Sequence, residues 1–232
     1  MAAVIEVRGL HKTSSGRAVL DIALLHLRAG ESYVLSGDNG AGKSTLLRVL
    51  AGLEPATVHS YRFRGDELDP ARLPSRVRRQ IGYVHQHPYM FNASVQANVE
   101  YGLRVRGIAS GERKARVREA LAWAGVQDLA AMPAPQLSGG EQQRVALARL
   151  KALSPCVYLL DEPTANLDAD GRRRVIELLG RLAGADNVVV IACHDQEVIN
   201  LPGLVRLHLS EGRLDAAPRN AIAPLRETRI GG

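Results

Sequence analysis

Apolar positions along the chain switch between a period of about two and a period of about 3.6, and the switches mark out its elements. Residues 4–7 and 18–27 read as strands, the second closed by a charged turn at residues 28–31. Residues 33–36 form a short apolar run that leads straight into a glycine-rich turn, and residues 43–53 follow with helical spacing at Leu46, Leu47 and Leu50. From residue 88 to residue 154 helical patterns dominate. Residues 112–124, with Val117, Ala120 and Leu121 on one face, predict one helix, and residues 141–153 predict another. Pro133 and Pro135 make residues 132–137 a loop. Strand signals return at residues 157–160 and 188–193, with a helical pattern over 172–183 between them. Residues 204–209 and the turn at Gly212 suggest a last hairpin, and from residue 217 no period is visible. Strands followed by helices predict an α/β core with a parallel sheet covered on both faces. A helical insertion interrupts that core.

Composition adds little to this picture but closes some alternatives. With 46% hydrophobic and 23% charged residues in 232, an ordinary folded domain is expected. A formal charge of +6 suits a polyanion, an anionic nucleotide or a membrane surface, without choosing among them. Aromatics at 4% speak against a platform for stacking single-stranded nucleic acid. Cys156 and Cys193 flank apolar runs and read as small hydrophobes in a reducing, cytoplasmic setting. His85 and His87 flank Gln86 without completing a metal cluster. The first ten residues carry charges where a signal peptide needs an apolar run. No apolar run approaches the roughly 18–20 residues of a membrane span. If the protein works at a membrane, another subunit is expected to cross it.

Two segments carry explicit chemistry. Gly37-Asp38-Asn39-Gly40-Ala41-Gly42-Lys43-Ser44 fits G-x-x-x-x-G-K-S/T between a strand and a helix. Its glycines allow backbone N–H groups to converge on a phosphate at a helix N-terminus. In that arrangement Lys43 reaches the β- and γ-phosphates, the Ser44 hydroxyl ligates Mg²⁺, and Thr45 adds a donor near the α-phosphate. The second segment is the apolar run at residues 157–160, which ends in Asp161 and Glu162. Strand C-termini of an open parallel sheet meet the ligand. Asp161 is therefore placed to hold Mg²⁺ through water, and Glu162 to polarise the attacking water.

Leu137-Ser138-Gly139-Gly140-Glu141-Gln142-Gln143-Arg144 narrows the reading. Here the sequence resembles the ABC ATPases, whose signature is LSGGQ or LSGGE. The motif order over the whole chain also fits: Walker A, then Gln86, the signature, Walker B and His194. Ser138 and Glu141 read as a capping box, and Gly139 and Gly140 expose N–H groups at a positive helix end. The resemblance implies a P-loop NTPase core with a mainly parallel sheet, an antiparallel β subdomain and an inserted helical subdomain. It divides the single 1–232 domain into a nucleotide-binding core at 1–87 and 155–216, a helical insertion at 88–154 and a tail at 217–232. It assigns Gln86 to the Q-loop, contacting Mg²⁺ or the water, and His194 to the switch histidine at the γ-phosphate. Asp168, in Ala165-Asn166-Leu167-Asp168, matches the D-loop at a dimer interface.

The resemblance further implies ATP and Mg²⁺ as cofactors and a head-to-tail homodimer in which one copy's signature closes on the other's γ-phosphate. Its other implied partners are integral-membrane permease subunits and a substrate-binding protein. The chain would then sit in the cytoplasm, peripheral on the inner face of the cell membrane, with its docking groove around Met90, Phe91 and Val95. Residues 83–103 resemble cassettes of bacterial oxyanion importers of the tungstate, molybdate and phosphate type. The chain is too short for the extra C-terminal domain of many sugar and molybdate cassettes, which favours the tungstate-like type. An exporter or lipoprotein-release cassette is the alternative. A nucleic-acid ATPase fits poorly, because such proteins insert long coiled coils between the Walker motifs, and no nucleic acid is expected as a partner. One departure stands out: the family's adenine-stacking aromatic has Ser14 in its place, which predicts modest selectivity for ATP over GTP.

Overall fold

The structure, a computed structural model, describes residues 3–182 and 187–215. In chain order it comprises β1 (Ala3–Ser14), β2 (Arg17–Arg28), β3 (Ser32–Ser36), α1 (Lys43–Leu50), β4 (Ser60–Phe63), β5 (Asp66–Leu68), α2 (Ser75–Arg78) and β6 (Ile81–Val84). There follow α3 (Val95–Val105), α4 (Ser110–Trp123), α5 (Gly139–Leu153), β7 (Val157–Asp161), α6 (Ala169–Leu182), β8 (Val188–Ala192), α7 (Gln196–Ile199), β9 (Leu204–Ser210) and β10 (Arg213–Leu214).

Two sheets organise these elements. One is antiparallel, in the order β2-β1-β4-β5, and the other runs β10-β9-β3-β8-β7-β6. The second is parallel from β9 to β6, and β10 joins its edge antiparallel. Its central strands have cores on both faces, which explains their unbroken apolar runs. Val34, Tyr158, Leu160, Val189 and Ile191 face a core built with α3 to α6. Tyr33, Leu35, Leu159 and Val190 face the other, shared with α1 and the antiparallel sheet. The expected α/β class with a helical insertion is therefore observed, and the antiparallel sheet lies beside it.

Several elements differ from the sequence expectation. β1 extends to Ser14, well beyond residue 7, because it pairs along its length with β2, and pairing does not require apolar side chains. β4, β5 and β6 are four residues or shorter, too short to show a period, and pairing defines them: β4 with β1, β5 with β4 and β6 with β7. α6 begins at Ala169, before residue 172, and Asp168 Oδ1 accepts a hydrogen bond from the Gly171 N–H at 3.0 Å in its first turn. The expected end of that helix at residue 183 and the tail at 217–232 lie outside the described residues. Of the three residues expected at a docking groove, Met90 and Val95 are buried in the helical core, whereas Phe91 is half-buried against the rings of Tyr89 and Tyr101. The exposed apolar side chains of this region are Tyr89, Tyr101 and Val105.

Candidate functional site

β3 is buried over Ser32–Leu35 and delivers the chain to the turn at residues 37–42. Gly37, Gly40 and Gly42 take φ values of 143°, 84° and 103°, in the region that L side chains avoid. Gly42 caps α1 without a side-chain partner, so the N–H groups at this helix start point toward the turn. Lys43 is buried, and its Nζ donates to the carbonyls of Gly37 at 2.8 Å and Asp38 at 3.2 Å. The ammonium thus closes the turn from within and sits where the turn's N–H groups converge.

β7 ends two strands away, beyond β8, and there the acid pair divides. Asp161 is 2% exposed and accepts from Ser44 Oγ at 2.8 Å and from Tyr83 Oη at 2.8 Å. Burial and the Asp161 carboxylate push the Tyr83 phenol well above its ordinary range, which keeps it a donor. Glu162 adopts φ 46°, a left-handed conformation that costs on the order of 1–2 kcal/mol for an L residue. Its N–H donates to the Ala192 carbonyl at 2.8 Å, which anchors the turn to β8. The turned carboxylate then lies 3.8 Å from Lys43 Nζ and 3.0 Å from His194 Nδ1. His194 is exposed at the end of β8, and the following Asp195 is held by both nitrogens of the Arg172 fork at 2.7 and 2.8 Å.

These groups surround one cleft of about 370 Å³. Asn39, Gly40, Gly42, Lys43, Ser44 and Thr45 line its turn side. Gln86, Glu162 and His194 line the opposite side. Gly37 packs behind the turn, Ala41 is buried beneath it, and Asp161 is reached through Ser44. Sequence reasoning missed three further contributors. Val19, Ala165 and Asn166 also line the cleft; Ala165 and Asn166 open the segment that matches the D-loop, where only Asp168 is assigned a role, and Val19 lies in no motif. Val19 is the apolar side chain on the antiparallel-sheet side, where Ser14 is exposed. An aliphatic contact adds dispersion but reads no base edge. Competition binding is therefore expected to show similar affinities for ATP and GTP; a strong preference for ATP would contradict Val19 as the principal base contact.

The profile of the ABC transporter family matches residues 20–165, more than half of the chain. This chain belongs to the ABC transporter family. The cassette is 43% identical over 199 residues to a sulfate/thiosulfate import ATP-binding protein, CysA, of Bordetella pertussis, an alignment covering 83% of this chain and 55% of that protein. It thus spans about half the length of that curated relative. It is 35% identical over 225 residues to the energy-coupling factor transporter ATP-binding protein EcfA1 of Streptococcus pneumoniae, covering 93% of this chain and 80% of that one. Among solved structures it is similar to a dimeric ATP-binding cassette in a post-hydrolysis state bound to ADP and Pi. That likeness has a TM-score of 0.81 at 27% identity and covers 94% of this chain and all of the other. The cassette's fold and motifs are those of an ATP-hydrolysing ABC domain.

The cassette's signature segment lies on a different surface from the cleft. Ser138 and Glu141 form a reciprocal capping box at the start of α5: the Ser138 N–H and Oγ donate to Glu141 Oε2 at 2.9 and 2.8 Å, and Glu141 N–H donates back at 3.4 Å. These bonds hold the Glu141 carboxyl below its ordinary range. Ser138 and Gly139 are exposed, while Gly140 packs against Gly171 of α6. A Cβ at Gly140 would come within 3.0 Å of the Gly171 backbone, so small residues bring the signature and Asp168 side by side. None of Ser138, Gly139, Gly140 and Asp168 lines the cleft.

Proposed function

We propose that this cassette binds MgATP in the 37–45 cleft, hydrolyses it between two head-to-tail copies, and thereby drives a membrane permease. One observation carries the reading: Glu162 is held beside Lys43 and His194 while Ser44 meets Asp161 at the back of the same cleft. The residues present fit Mg²⁺. Asp161 is a buried carboxylate whose described donors are neutral hydroxyls, a setting that a cation completes. Ser44, Asp161 and Gln86 offer hard oxygen donors, and no group of three or more His, Cys, Asp or Glu forms a metal cage among the described residues. Mg²⁺ suits such a site, because it binds through one or two carboxylates together with substrate phosphates. When bound, it neutralises phosphate charge.

The chain's own residues then have distinct tasks. The turn's N–H groups and Lys43 orient the β- and γ-phosphates. Glu162 accepts a proton from the attacking water, and His194 fixes the Glu162 carboxylate and meets the γ-phosphate. Gln86 reports γ-phosphate to the helical insertion. Separation of the signature from the cleft within one chain supports the two-copy arrangement, in which Ser138, Gly139, Gly140 and Asp168 complete the partner's site. ATP favours the closed pair and hydrolysis releases it. The core at 1–87 and 155–216 and the insertion at 88–154 would move as two bodies in that cycle.

For the permease, a groove of about 320 Å³ beside β6 is the better candidate than the buried Met90 and Val95. It is lined by Tyr83, His85, Tyr89, Arg149 and Leu150, adjoining Gln86, and Tyr89 is 72% exposed at its edge. No helix among the described residues is long and apolar enough to cross a membrane, so a separate membrane-spanning subunit fits this reading. The cassette would then be peripheral on the cytoplasmic face. Similarity to a sulfate/thiosulfate import protein supports an oxyanion cargo, and within that class we favour tungstate, delivered by a substrate-binding protein. The test is affinity capture of the tagged Glu162→Gln chain with MgATP in mild detergent. A co-purifying polytopic membrane protein is expected, with a cognate binding protein if the system imports. Recovery of soluble partners or nucleic acid alone would overturn the transport reading.

A further inference from the structure

Tyr83 stands three residues ahead of Gln86, in a stretch whose resemblance gave it no role of its own, and its phenol reaches the centre of the site. It sits on β6 in register with Leu159 of β7. Side chains two apart on a strand share a face, so Tyr83 lies on the same side of the sheet as Leu159 and Asp161. Its Oη donates to Asp161 Oδ2 at 2.8 Å, while Ser44 Oγ takes the other carboxylate oxygen at 2.8 Å. The two donors differ in what carries them. Ser44 belongs to the first turn of the helix that follows the phosphate turn, and ligand binding acts on that turn directly. Tyr83 is carried by the hydrogen-bonded sheet, and Gln86 follows only three residues later.

We propose that Tyr83 is a positioning residue for Mg²⁺, holding the Asp161 carboxylate in the orientation that receives the cation. The inference rests on the MgATP reading above and adds a residue to it. A carboxylate that holds a metal, directly or through water, has rotational freedom about its last torsion. A fixed donor on one oxygen aims the other at the metal, and loss of such a donor typically weakens metal affinity by about 10- to 100-fold. Tyr83 is also among the residues lining the groove beside β6. Tyr83→Phe keeps the aromatic ring and removes only the O–H, so it isolates the hydrogen bond from the packing of the side chain.

The experiment measures binding of a non-hydrolysable ATP analogue to the full chain by calorimetry, once with Mg²⁺ and once with EDTA, for wild type and Tyr83→Phe. The wild type is expected to gain affinity from Mg²⁺. Tyr83→Phe is expected to lose roughly tenfold of that gain, with its affinity in EDTA unchanged. Narrowing of the loss by Mn²⁺ in place of Mg²⁺ would be a further mark of a metal effect. If Tyr83→Phe keeps the full Mg²⁺ gain, or loses affinity equally with and without the cation, the positioning role is wrong and Tyr83 is a packing residue. If the wild type itself gains nothing from Mg²⁺, the MgATP reading fails, and that outcome is visible before the variant is considered.

Discussion

Glu162→Gln is expected to bind nucleotide as the wild type does and to hydrolyse it at least about 100-fold more slowly, the low end for loss of a general base. Glutamine keeps the shape of the side chain and can still bond His194, 3.0 Å from Oε2 in the wild type. It cannot take a proton. Lys43 retains its bonds to the carbonyls of Gly37 and Asp38, so the phosphate turn stays closed. The backbone at residue 162, at φ 46°, is no harder for glutamine than for glutamate. The variant should therefore accumulate as an ATP-bound pair of copies, measurable by light scattering with MgATP beside single-turnover hydrolysis. Turnover within a few-fold of wild type would remove Glu162 as the base, and only another acceptor in the cleft could then take the proton.

Gly37→Ala is expected to damage the fold and the site together. The added Cβ would stand 2.0 Å from the Leu209 carbonyl oxygen and 3.1 Å from its carbon, at a φ of 143°. Both obstacles are backbone, and Leu209 is fully buried on β9, which pairs with β3. Neither can rotate away as a side-chain tip would. Overpacking at about 1–3 kcal/mol and backbone strain at about 1–3 kcal/mol suggest a loss of roughly 3 kcal/mol. For a domain of this size that lowers the thermal midpoint by about 6–12 °C. Gly40→Ala is the control: its φ is 84°, but a Cβ there meets nothing within 4 Å. It should cost only the strain, about 1 kcal/mol. A Gly37→Ala protein with native melting and native nucleotide affinity would show that the turn is not seated against β9.

The candidate site was legible in unequal parts. Its phosphate turn and acid pair are local patterns: contiguous residues whose chemistry depends on one strand–turn–helix and one strand end. Both were readable because a glycine-rich turn with a lysine has few other uses. Gln86, His194 and Asp168 came from resemblance alone, since a single polar residue after a strand carries no spacing signal. Val19 lies in no motif, and Asn166 and Tyr83 lie in the D-loop and Q-loop stretches without a role of their own there. Each enters through a strand register or a loop crossing that joins residues far apart in sequence, as Tyr83 and Asp161 are joined by the β6–β7 pairing. The error over Met90 and Val95 has a similar origin. Apolar residues beside a candidate site suit a docking surface and a core equally well, and only the packing of α3 to α5 places them inside.

By itself the sequence determined the α/β class, the phosphate turn, the acid pair and the capped helix at Ser138, because each is encoded within about a dozen neighbouring residues. The tertiary structure decided the rest. It defined β4 to β6, whose short segments become strands only when β1, β4 and β7 supply their respective partners. It turned Glu162 between Lys43 and His194, and it set the signature on a face away from the cleft. Local propensity acts through the bonds of a few adjacent residues, whereas these arrangements follow from burying two apolar faces of one sheet at once. That is a property of the whole chain, and no window of it carries the answer.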